Sequence, residues 1–138
     1  MSQRILFADT FYWIALIFPR DAHHSAVLSF SRTLRGVRIL TTDEVLSEFL
    51  SHFGGFGTYW RSKAAALVDH VRLDPSVVVL AQCRADFDAA LVLYKARPDK
   101  AYSLIDCRSM VVLTGHEGSE VLTNDHHFTQ EGFMILFP

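Results

Sequence analysis

Five short apolar runs alternate with longer stretches of helical character, and this alternation constrains the fold more than any other feature of the chain. The runs are RILFA (4–8), VRIL (37–40), SVVVL (76–80), EVLT (120–123) and FMILF (133–137). Each is short and rich in branched residues, as buried strands are. Between them, DTFYWIALIF, HSAVLSFSRTL, TTDEVLSEFLSHF, TYWRSKAAALVDHVRL, CRADFDAALVLYKA and SLIDCRSMVVLTGHEG read as helices. Pro19, Gly36, the GGFG stretch and Pro98 break them, and NDHHFTQEG reads as a loop. Strands separated by helices imply an α/β fold, a three-layer α/β/α sandwich around a mainly parallel sheet. No linker or internal repeat interrupts the pattern, so one domain over residues 1–138 is expected.

In a parallel sheet the strands end on one edge, and ligands bind outside that carboxyl edge. Asp9 directly follows the first run and Asp125 follows EVLT, so acids from opposite ends of the chain converge there. Locally, Asp9 also reads as an N-cap and Asp125 as a turn residue. On the helix TTDEVLSEFLSHF the apolar arc is Val45, Leu46, Phe49, Leu50 and Phe53. Glu44 falls opposite that arc, in the solvent position, Glu48 falls nearer its edge, and Asp43 reads as a first-turn acid. In SLIDCRSMVVL apolar residues surround nearly the whole helix, so it is expected to be deeply buried, with Asp106 on the side of Met110 and Leu113 and away from Arg108. Ser103-x-x-Asp106 is also a capping box, a role compatible with a site. Acids gathered at one edge repel: each like-charged pair at 4 Å costs roughly 4 kcal/mol at an effective dielectric near 20. A divalent cation relieves that repulsion, and an all-oxygen set favours Mg²⁺ or Mn²⁺ over zinc.

Four stretches, FADTFYWIAL, TTDEVLSEFL, YSLIDCRSMVV and LTNDHHFTQEGF, together resemble the PIN-domain nucleases, most closely the VapC-like toxins of bacterial type II toxin–antitoxin pairs. The likeness spans essentially the whole chain in order and spacing. It implies metal-dependent cleavage of RNA, frequent homodimerisation and inhibition by an antitoxin. It also implies that Asp9, Glu48, Asp106 and Asp125 are the catalytic, metal-binding acids. Asp99 matches a further acid of some members, and Asn124 stands where a small polar residue often helps to orient water. Ser103 ranks with these two as a secondary candidate.

The net charge of −2 predicts no strongly basic surface, so contact with RNA must come from local patches. Lys95, Arg97, Lys100 and Arg108 lie nearest the expected pocket, with Lys100 and Arg108 foremost as phosphate contacts. Arg32, Arg35 and Arg38 read as a solvated face. Tyr12, Trp13 and Phe128 read as core, and Cys83 and Cys107 as reduced core thiols. The pairs His126–His127 and His23–His24 lack the spacing of a zinc site. Asp9 interrupts the N-terminal apolar run and no other segment approaches a membrane span, so a cytoplasmic protein is expected. The apolar and aromatic residues of TYWRSKAAALV suggest a surface for pairing with a second copy.

Two other functions fit an acidic edge. A metal-dependent phosphohydrolase acting on a small molecule calls for a phosphate-cradling glycine loop, or a nucleophilic Asp with a second acid two residues on. Thr10 and Phe11 follow Asp9, and GGFG follows a helix instead of a strand. A non-catalytic RNA- or protein-binding module predicts that neutralising the acids changes nothing.

Overall fold

The structure, a computed structural model, describes residues 3–138. Strand β1 (Arg4–Ala8) leads into α1 (Thr10–Ile17) and α2 (His24–Thr33). Strand β2 (Val37–Thr42) is followed by α3 (Asp43–His52) and α4 (Thr58–Leu73), and β3 (Val77–Leu80) by α5 (Arg84–Ala96) and α6 (Leu104–Gly115). The chain closes through β4 (Glu120–Leu122), α7 (His126–Gln130) and β5 (Met134–Ile135). The five strands form one sheet, ordered β3-β2-β1-β4-β5 and parallel throughout. This is the α/β/α architecture expected from the alternation of runs.

Local chemistry explains most boundaries. The Thr42 hydroxyl accepts from the Val45 amide at 3.1 Å and caps α3. Gly36, at φ +63°, makes the turn into β2 in a conformation that side-chain-bearing residues rarely adopt. Central strand β1 is flanked on both sides, so Leu6, Phe7 and Ala8 are completely buried and their run is continuous instead of alternating. Tyr12, Trp13 and Phe128 are core residues, as expected, and the Trp13 indole donates to Thr41 Oγ1 at 3.3 Å.

Three sequence expectations need correction. The NDHHFTQEG stretch is not all loop: Asp125 accepts from the His127 amide at 2.9 Å and starts the five-residue helix α7, with Phe128 as its buried anchor. A helix barely longer than one turn leaves no periodicity to read. Of FMILF, only Met134 and Ile135 pair as strand. Cys107 is buried as expected, but Cys83 is exposed, because it stands at the N-terminus of α5 with its thiol donating to Asp86 at 2.9 Å.

Candidate metal centre

The sheet order places β1 between β2 and β4: the chain steps outward from β1 through β2 to β3, then crosses back to β4 on the other side of β1. A crevice at such a switch point is where ligands bind in open α/β sheets. Asp9 stands at the carboxyl end of β1, and Thr123, Asn124 and Asp125 at that of the neighbouring β4.

Asp9 is in the N-cap position of α1, yet its side chain makes no capping bond. Its Oδ2 instead accepts from the Thr123 hydroxyl at 2.9 Å, and Thr123 Oγ1 in turn accepts from the Asp125 amide at 3.2 Å. Thr123, completely buried, thus couples the two strand ends. Asp9 is itself only 8% exposed, and burial pushes its carboxyl up to about 6. The Thr123 hydrogen bond opposes that rise, and the negative charges of Asp106 and Glu48 add to it. A carboxyl with this environment is held ready for a cation.

Asp106 enters from the N-terminus of α6. Both halves of the Ser103–Asp106 capping box are formed, each at 3.0 Å. The cap fixes the carboxylate while leaving it beside α7, where Asp106 Oδ2 lies 3.2 Å from His127 Nδ1. The same ring nitrogen lies 3.3 Å from Asp125 Oδ1. One ligand atom from each of Asp106, Asp125 and His127 falls within 4.8 Å of the others, a spacing that suits one cation. Glu48, on α3, stands outside that group of three and acts on Asp9 only through its charge. It is exposed and borders a cavity of about 440 Å³ between α3, α5 and the start of α6. Asn124 is half-buried immediately before Asp125.

The remaining candidates lie elsewhere. Asp99 is 70% exposed and pairs with Lys100 at 3.2 Å, outside the cluster. Arg108, expected as a phosphate contact, is buried: its Nε donates to Glu44 at 2.8 Å and its NH2 lies 3.2 Å from Asp86. Residues two apart on a helix point about 200° away from each other, so Arg108 faces away from Asp106. Glu44, expected in solvent, is drawn inward by this pairing. His127, which the zinc criterion passes over, stands within the candidate group. Its signal was its position two residues after Asp125 at a strand end, where the turn folds the ring back over the carboxylate. Thr123 read only as a β-branched strand residue.

A PIN domain family model matches residues 6–133. Mycobacterium tuberculosis VapC20, described as a sarcin–ricin loop cleaving toxin, superposes with a TM-score of 0.82 at 24% identity, covering 94% of this chain and 96% of that one. FitAcB from Neisseria gonorrhoeae superposes with a TM-score of 0.66 at 14% identity, covering 94% of this chain and 95% of the other. No curated protein matches the sequence. The family match over nearly the whole length agrees with the parallel sheet and its acid-lined switch point: the chain belongs to the PIN-domain family.

Proposed function

We propose that the chain is a Mg²⁺- or Mn²⁺-dependent endoribonuclease that hydrolyses RNA phosphodiester bonds, acts in the cytoplasm, and is the toxin of a toxin–antitoxin pair. The observation that carries this reading is the convergence of Asp9, Asp106 and Asp125 at the β1/β4 switch point of a PIN fold, with the Glu48 charge felt at Asp9. VapC20, described as a sarcin–ricin loop cleaving toxin, supports it on the same fold.

Asp9, Asp106 and Asp125 would hold the ion, with Glu48 completing the set from α3. A bound divalent ion supplies Lewis acidity, lowers the pKa of water and stabilises charge on the phosphoryl oxygens. Within the chain, Thr123 orients Asp9, and the capping box holds Asp106. Among the described residues no hydrogen bond or ion pair restrains Glu48, which leaves its carboxylate free to take the proton of an attacking water. His127 links the two acids, its ring nitrogen hydrogen-bonded to Asp106 at 3.2 Å and its backbone amide donating to Asp125 at 2.9 Å, which offsets part of their repulsion. Asn124 is proposed to help orient that water.

The test combines metal binding with activity. Millimolar Mg²⁺ or Mn²⁺ is expected to raise the melting temperature, because a ligand of the folded state alone stabilises it. Asp106→Asn is expected to abolish both that rise and RNA cleavage. A protein that cuts RNA only with metal, yet melts identically with and without it, would contradict the stabilising role of the four acids.

The chain is also proposed to pair with itself and with an antitoxin. Phe56 and Tyr59, 43% and 63% exposed, border an aromatic cluster of Phe18, Phe53 and Trp60. Such a patch is a natural interface. Light scattering at micromolar concentration is expected to give twice the 15.6 kDa chain mass; a single-chain mass would exclude the homodimer there.

A further inference from the structure

A second cavity, of about 310 Å³, is lined by Tyr94, Lys95, Arg97, Pro98, Lys100 and Tyr102. Its floor is rigid. Arg97 Nε donates to both Glu131 oxygens at 3.0 and 3.1 Å, and the buried Tyr102 donates its hydroxyl to Glu131 at 2.9 Å. The other side of Tyr102 meets His127, with ring centroids 5.6 Å apart. The cavity and the metal centre are therefore separated by the width of one aromatic ring.

The rim carries groups that the floor does not use. Tyr94 is half exposed, although a ring on a soluble helix is normally better covered. Lys95 is exposed and, among the described residues, forms no ion pair. Among the described residues Lys100 pairs only with the solvent-exposed Asp99, a contact weak enough for a phosphate to replace. Exposed cations beside an exposed ring, one unpaired and one only weakly paired, form the combination that holds a single-stranded nucleic acid, the ring stacking on a base and the cations following the backbone. They also lie where they are most needed, because the acid cluster repels a polyanion.

We infer that this cavity is a nucleotide subsite for the strand being cut: Tyr94 stacks on the base next to the scissile phosphate, and Lys95 and Lys100 hold the adjoining backbone phosphates. The inference rests on the ribonuclease reading above. It adds a positioning surface, at the end of α5 and on the α5–α6 connection, to the acids that carry the chemistry.

The experiment is steady-state cleavage of a short single-stranded RNA in Mg²⁺ by the wild type, Tyr94→Ala, Tyr94→Phe, Lys95→Gln and Arg35→Gln, with a melting curve for each. Tyr94→Ala is expected to raise KM about tenfold, in line with the loss of one base stack, with kcat within about twofold. Tyr94→Phe keeps the ring and should retain the wild-type KM. Lys95→Gln should raise KM and flatten the log–log salt dependence by about 0.7, the share of one phosphate on a single strand. Arg35→Gln, on the distant basic face, should change neither. The subsite is overturned if Tyr94→Ala leaves KM unchanged or lowers kcat alone. It is equally overturned if Arg35→Gln raises KM as much as Lys95→Gln, since binding is then spread over the surface. Either result leaves the ribonuclease reading standing, whereas a wild type that cuts no RNA removes both.

Discussion

Arg108→Ala is expected to destabilise the protein by about 3 kcal/mol, at the lower end of the cost of breaking a buried ion pair by removing one partner. For a chain of this size that lowers the melting temperature by roughly 10 °C. The Arg108 side chain is only 5% exposed and that of Glu44 15%, and Glu44 Oε1 is buried without a hydrogen-bond partner among the described residues. Removing the guanidinium would leave a carboxylate with neither charge compensation nor a donor. Adding Glu44→Gln to Arg108→Ala should recover part of the loss, because the stranded charge is gone. A phosphate contact predicts the opposite pattern, with stability kept and KM raised. Thermal melts of the two variants beside their cleavage kinetics separate these outcomes.

Asp9→Asn is expected to make the metal-free protein more stable while abolishing cleavage. In the folded state burial keeps the Asp9 proton bound up to about pH 6, whereas an unfolded aspartate loses it near 3.8. Between those values the folded state binds more protons, so its stability falls as the pH rises through the window. The full effect of this one group is roughly 3 kcal/mol, an upper bound because the buried environment can relax. Asparagine carries no charge to desolvate, and its oxygen still accepts from Thr123. In EDTA at neutral pH the variant should melt several degrees higher than the wild type, and its stability should no longer fall between about pH 4 and pH 6. A lower melting temperature for the variant in EDTA would contradict the assigned origin of the strain.

The sheet and most helices were legible because their signals are local: short apolar runs, a capping threonine at 42, a glycine at 36. The arrangement of the candidate site was legible in part for the same reason. Asp9 and Asp125 follow strands whose carboxyl ends share an edge, and Asp106 sits on a capping pattern written in four residues. What escaped depends on distant partners. Arg108 and Glu44 lie 64 residues apart, and a helical wheel shows only the neighbours within its own helix. The wheel alone therefore places Glu44 in solvent and leaves Arg108 free for phosphate. His127 lacks zinc spacing in the sequence, and its role beside two carboxylates emerges only from the fold. Thr123 could not be distinguished from any other strand residue until β1 and β4 were neighbours.

The most direct test of the central claim is cleavage of total cellular RNA by purified wild type and Asp9→Asn, each with Mg²⁺ and with EDTA, after a control for contaminating nuclease. The account predicts cleavage by the wild type in Mg²⁺ alone and none by the folded variant. Equal cleavage by both proteins in Mg²⁺, or undiminished cleavage by the wild type in EDTA, would contradict it.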